Sequence, residues 1–351
     1  MIKYYTRACN FYYGKLSKKL VKNKKAFSLC GSKEISFDKI EVFSKNKKKI
    51  SSKIINIKRI NFLPKLVKMK VILDLKKIIS KRKFLKQKNH ILMGVLNMTP
   101  DSFSDGGKFN TSRKSSKKIK EMIDSGADII DIGGESTRPG SKVISPSIEW
   151  ERVKHVIKKF KKNYPKTLLS VDTRKSLVMK NAIKYNTDII NDISCFKFDT
   201  NSLNTIKKKN LWKVIHHMQG TPQTMQTNPK YHHVLLDIYD FFEKETTKMK
   251  KDKNKKIILD PGIGFGKNLK HNLMILNKIS IFHSLGFPIL IGTSRKRFIN
   301  QISKKFDSKE RLGGTLSSVL FSLSQGVQIF RIHNVREIKQ GILVHEKLLK
   351  R

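Results

Sequence analysis

The chain has 351 residues, 38% of them hydrophobic, which is enough apolar material for a large core and argues against disorder. Lysine and arginine number 75 against 27 acids, a formal charge of +48, and residues 1–90 alone hold 27 bases and four acids. Three cysteines with no CxxC pair exclude a disulfide framework or zinc cluster, and no apolar run is long enough for a transmembrane helix. A reducing, cytoplasmic compartment is therefore expected.

The bases are mostly lysines in runs such as "KNKKK", without the arginines and aromatics that interleave on phosphate-reading surfaces. They read as a solvated surface, so neither a specific nucleic-acid partner nor a membrane partner is expected. Residues 1–88 alternate briefly ("EISFDKIEVFS", "SKIINIKRINFL") and then turn helical ("KMKVILDLKKIISKRKFLK"). They carry no chemical signature and read as a basic N-terminal extension packed on the main domain.

From residue 89 to 351 the pattern changes. Short β-rich runs, each closing on a polar residue, follow one another: "ILMGVLNMT", "DIIDIGGE", "TLLSVDT", "DIINDIS", "LWKVIHHMQG", "KIILDPG", "PILIGTS" and "VQIFRIHN". Amphipathic stretches separate them. Runs without alternation suit strands covered on both faces, and eight of them alternating with helices predict a (β/α)8 TIM barrel. A doubly wound open sheet is the rival, but it predicts one glycine-rich crevice rather than chemistry at nearly every strand end. Asn97, Asp131, Asp172, Asn191, His216 or His217, Asp260, Ser294, Arg331 and His333 all stand at such ends. Any one of them could cap the next helix. Together they predict an active site on the barrel's C-terminal face.

Seven segments in order, "LNMTPDSFSDGG", "GADIIDIGGESTRPGS", "SVDTRK", "IINDIS", "LDPGIGFGK", "GTSRKRF" and "RIHNV", closely resemble the dihydropteroate synthase family. The resemblance spans residues 90–336. It implies condensation of a hydroxymethyl-dihydropterin pyrophosphate with p-aminobenzoate, releasing pyrophosphate, by a Mg²⁺-assisted dissociative substitution in folate biosynthesis. On the same ground Asp260, Asp172 and Asn191 would take the amino-pyrimidine edge of the pterin. Lys296 would take its carbonyl side, and Ile193 and Met218 its faces. Arg331, His333, Asn97 and Thr137 would hold the pyrophosphate, with Asn97 supplying an oxygen to Mg²⁺. Thr137, Arg138 and Pro139 would close over p-aminobenzoate, packed by Phe265, with Lys267 nearby.

The stretch from Thr99 to Gly107 reads as a lid, with Phe103 and Asp105 as its working residues. The acting groups are then Asn97, Asp105, Arg138, Lys296, Arg331 and His333. Two departures from the family pattern stand out: Arg297, where many relatives have serine, and Asn334, where many have aspartate. Arg297 either meets the p-aminobenzoate carboxylate or faces solvent. A homodimer follows from the resemblance alone. A methyltetrahydrofolate methyltransferase would share the pterin-facing Asp and Asn, but it has no use for Arg138, Arg331 and His333.

Overall fold

A computed structural model describes residues 2–349, apart from 48, 83, 85–89, 100–107, 137–139, 208, 253 and 305–306. The N-terminal part is an antiparallel sheet of four strands, β1 (Lys3–Tyr13), β2 (Phe27–Leu29), β3 (Ser32–Asn46) and β4 (Lys49–Asn56). β3 lies at its centre and pairs with the other three. Helix α1 (Gly14–Lys22) follows β1, and a 3-10 turn, Ile57–Phe62, leads into α2 (Lys65–Ile79). Apolar residues at helical spacing, Val67, Val71, Leu75 and Ile78, pack α2 onto Ala8, Leu29, Phe37 and Ile40 of the sheet.

The remaining strands are β5 (Ile91–Asn97), β6 (Ile129–Gly133), β7 (Leu168–Asp172), β8 (Ile189–Asp192), β9 (Trp212–His216), β10 (Ile257–Asp260), β11 (Leu290–Ile291) and β12 (Ile329–Ile332). All eight run parallel in the order β10-β9-β8-β7-β6-β5-β12-β11, and a parallel bridge between Leu259 and Ile289 links the two ends. This nearly closed barrel is the expected TIM architecture and excludes the open sheet.

Helices α3 (Lys108–Asp124), α4 (Pro146–Asn163), α5 (Ser176–Ile183), α6 (Ser202–Ile206), α7 (Val234–Lys251), α8 (Leu269–Asn277), α9 (Arg297–Ser303), α10 (Leu312–Leu323) and α11 (Val335–Leu349) lie between and after the strands. The strands sort their side chains with a period of two. Met93, Ile129, Ile189, Val214, Ile258, Leu290 and Ile329 fill the barrel interior. Their neighbours Leu92, Ile130, Ile190, Ile215, Leu259, Ile291 and Phe330 belong to the larger core that includes the helices.

Charge as well as packing joins the extension to the barrel. Lys3 pairs with Asp240 and Glu243 of α7 at 2.6 Å, and Lys45 with Asp237 and Asp240 at 3.1 Å. The Tyr5 hydroxyl donates to Asp240, and the buried Glu41 carboxylate accepts from Arg7 at 2.7 Å and from Lys278 at 2.6 Å. No described helix is long and apolar enough to cross a membrane.

Candidate active site

The strand ends bring Asn191, Ile193, His216, Asp260, Ile263, Phe265, Gly292, Lys296 and Arg331 around one small pocket on the C-terminal face. Its polar atoms form an incompletely satisfied set. Asn191 donates from Nδ2 to Asp131 at 3.1 Å, while its buried Oδ1 has no hydrogen-bond partner among the described residues. Asp260 accepts the Gly262 amide on Oδ1 at 2.8 Å, and its Oδ2 lies 4.0 Å from His216 Nε2. The left-handed Gly262 (φ 69°) is required by that turn, since a Cβ there would stand 2.0 Å from the His217 carbonyl oxygen. Two acceptors therefore face the pocket with spare lone pairs.

Opposite them, the Lys296 ammonium lies 4.0 Å from the centroid of the Phe265 ring. The pocket leaves about 20 Å³ free, close to the space of one water. Ile193, Met225 and Phe265 form an apolar wall, with Met218 packed against it.

Burial dominates the electrostatics. It lifts Asp260 to about 6, against the opposing Gly262 amide and Lys296, and lowers Lys296 to about 8 with the help of Arg331. Burial and the nearby Lys267 and Lys296 push His216 well below the usual histidine range, so it is neutral and cannot ion-pair with Asp260.

Arg331 is anchored rather than free. Its Nε donates to Asp131 and its Nη2 to Asp172, both at 2.7 Å. A guanidinium carries five N–H donors, so others remain for a ligand, and the side chain is 20% exposed. Asp172 is raised to about 7 by burial, with Arg331 opposing and Asp131 adding. β12 ends at Ile332, so His333 lies just beyond the strand, its Nδ1 3.0 Å from Ser294 Oγ. Asn97 ends β5, half-buried, and its side chain makes no hydrogen bond among the described residues.

Lys267 makes contacts that the sequence reading does not anticipate, and Arg297 takes one of its two alternatives. Lys267, expected beside the aminobenzoate, turns into the protein and donates to His217 Nδ1, the His217 carbonyl and the Phe265 carbonyl. It staples the loop that presents Phe265. Arg297 opens α9 and faces solvent, the second of its two alternatives. The Asn334 departure has a defined contact: its Oδ1 accepts from Arg295 Nε at 3.2 Å and Nη2 at 2.8 Å. Arg295 itself has a left-handed backbone (φ 61°) that turns the chain immediately before Lys296. Phe103, Asp105, Thr137, Arg138 and Pro139 lie outside the described residues.

Asp131, named in the sequence only as a strand end, and the residues around Glu135, which carry no expectation there, also contribute. Asp131 is fully buried and organises the site, accepting from Ser170, Asn191 and Arg331. Beneath the "GGESTRPG" segment, Glu135 accepts from Arg174 at 2.7 Å and Lys175 at 2.8 Å, and Lys175 also reaches Glu149 at 2.6 Å. The available signal was a cation pair directly after "SVDT" and an acid directly after Gly-Gly. No group of three His, Cys, Asp or Glu side chains among the described residues is placed to hold a metal ion.

The family model described as pterin binding enzyme matches residues 93–333. Dihydropteroate synthase from Escherichia coli K12 is 39% identical over 260 residues, covering 74% of this chain and 91% of that one. The Bacillus subtilis dihydropteroate synthase is 40% identical over 263 residues, covering 74% and 89%. The Yersinia pestis dihydropteroate synthase, solved with a sulfonamide drug, superposes with a TM-score of 0.71 at 35% identity, over 76% of this chain and 98% of that one. The Xanthomonas albilineans dihydropteroate synthase, solved with 4-aminobenzoic acid, gives 0.68 at 30% identity, over 74% and 93%. With barrel, strand-end residues and relatives in agreement, the chain belongs to the dihydropteroate synthase family of pterin-binding transferases.

Proposed function

We propose that this enzyme joins 6-hydroxymethyl-7,8-dihydropterin pyrophosphate to p-aminobenzoate, giving 7,8-dihydropteroate and pyrophosphate. The observation that carries the reading is a pair of acceptors, Asn191 Oδ1, which has no hydrogen-bond partner among the described residues, and the Asp260 carboxylate, lining one apolar-walled pocket with Lys296. An amino-pyrimidine edge presents N–H donors to the first two and a carbonyl to the third. Matched buried polar edges discriminate strongly, because a ligand lacking them leaves the groups unpaired. Asp172, held by Arg331, extends the acceptor side, and Ile193, Met218 and Phe265 sandwich the ring. Phe265 packs p-aminobenzoate as well. The Xanthomonas protein solved with that acid supports the second substrate.

Catalysis in this reading is the stabilisation of a departing pyrophosphate. Arg331 offers the donors it does not spend on Asp131 and Asp172, and those carboxylates keep its fork oriented. Asn97 ends β5 and His333 follows β12, two neighbouring strands, and both are assigned to the pyrophosphate on the family resemblance. The Asn97 amide offers one neutral oxygen, which fits Mg²⁺, an ion that keeps several waters and binds chiefly through substrate phosphates. When bound, Mg²⁺ would neutralise charge on the pyrophosphate oxygens. No base is required to activate an aniline, in keeping with the neutral His216. Phe103, Asp105, Thr137, Arg138 and Pro139 are assigned to the aminobenzoate side, and a homodimer to the assembly, on the family resemblance. The test is turnover of dihydropterin pyrophosphate and p-aminobenzoate with Mg²⁺, read as dihydropteroate by chromatography. Folded protein that binds pterin yet forms no dihydropteroate overturns the proposal.

A further inference from the structure

We propose that the outer face of α2 docks the protein on the surface of an anionic lipid bilayer. Helix α2 is apolar on two sides, and only one of them is covered by the N-terminal core. On the other, Leu66, Met69 and Leu73 lie three and four residues apart, so at 3.6 residues per turn they form one stripe, and they are 74%, 55% and 54% exposed. Phe62, 84% exposed, ends the 3-10 turn that precedes the helix. Isolated apolar side chains at a surface need no explanation, but a contiguous stripe of this kind marks an interaction site.

The border of the stripe selects the partner. Lys65 and Lys76 are exposed beside it, and Lys58 and Arg59 are exposed just before Phe62. From residue 42 to 89 the sole acid is Asp74, which is fully buried and bonded to Lys70 at 2.6 Å. An apolar stripe bordered along its own helix by exposed lysines, with no exposed acid on α2, is the form of a helix lying in a membrane interface, with its apolar side chains below the headgroups and its lysines among them. A second copy docked through this face would press two lysine rims together. A nucleic acid would use the cations and leave four apolar side chains in water. None of these residues lines the strand-end pocket, so this inference is independent of the proposed reaction.

The test is sedimentation of the full-length protein with phosphatidylcholine vesicles made with and without phosphatidylglycerol. Binding is expected to the phosphatidylglycerol vesicles alone. It should weaken by about tenfold or more in Leu66→Ser/Met69→Ser and, separately, in Lys65→Glu/Lys76→Glu. Both variants should retain far-ultraviolet circular dichroism and pterin affinity, since every changed side chain is exposed. Failure to bind phosphatidylglycerol vesicles overturns the proposal. So does binding that survives Leu66→Ser/Met69→Ser, which would mark simple charge attraction. A self-association in solution that the same variant abolishes would also overturn it, by assigning the stripe to a second copy.

Discussion

Two buried charge networks in this molecule handle the same cost in opposite ways. Where the extension meets the barrel, the Glu41 carboxylate accepts from Arg7, Lys278 and Ser52, and these bonds outweigh burial and hold it below the usual glutamate range. On the strand-end face, Asp172 and Asp260 are held above the usual range, and Asn191 Oδ1 has no partner among the described residues. The first network is complete and serves only cohesion. The second is left short of donors, which costs stability and readies the pocket for a ligand that supplies them.

The sharpest way to break the contrast is Arg331→Ala. It removes the cation proposed for the phosphate side and leaves Asp131 and Asp172 without their counter-charge. We expect kcat/KM to fall by roughly a hundred- to a thousandfold, as for loss of one transition-state donor. Thermal unfolding should also show a loss of about 3–5 kcal/mol, the cost of orphaning buried charge. Loss of activity smaller than tenfold in steady-state assays would remove Arg331 from the phosphate side.

Glu41→Gln should do the reverse, lowering stability by about 3 kcal/mol in denaturant melts while leaving kcat/KM of the folded enzyme unchanged. Because Glu41 is depressed in the folded state, its contribution is present above the ordinary glutamate range and lost as the pH falls through its lowered value. The stability gap between wild type and variant should therefore close in acid.

Lys296→Ala is expected to weaken pterin binding in calorimetry by about 1–3 kcal/mol, as for a lost charged hydrogen bond. Unchanged affinity would place the pterin elsewhere. The same site sets a pH window. Asp260, raised to about 6, is ionised only above that pH, and Lys296, lowered to about 8, is charged only below that one. Pterin affinity should follow a bell between the two limbs. The stability signs differ from that of Glu41: a raised carboxylate favours the protonated folded state, so Asp260 contributes less stability as pH climbs from its ordinary range toward 6.

The smallest effect is expected from Asn334→Asp, which turns the Arg295 contact into a partly exposed ion pair. A stability gain of about 1 kcal/mol or less should be seen in thermal melts, with kcat changed less than about threefold. A larger rate change would give Arg295 a direct part in setting Lys296.

Much of this was legible in the chain. Eight runs that end on polar residues declare a barrel whose chemistry lies on one face, because parallel strands bring their C-terminal ends together whatever the helices between them do. Asn191, Asp260, Lys296 and Arg331 could be named from motif and strand position and do line one pocket. Asp131 was visible at a strand end, yet its task was not. Its partners Arg331 and Asn191 stand 200 and 60 residues away, and no local spacing records such a pairing. The contacts of Lys267 were hidden for a related reason. A lysine one residue past "GFG" can point either way, and the His217 carbonyl and ring nitrogen, reached only through the fold, draw it inward.

Periodicity in the chain settles which residues share a strand face and which polar group ends each strand. What meets each face is settled by the fold. It placed Val67, Val71 and Ile78 in a core and left Leu66, Met69 and Leu73 in water. Periodicity defines faces from backbone geometry alone, whereas burial and charge pairing depend on groups that the chain returns from far away.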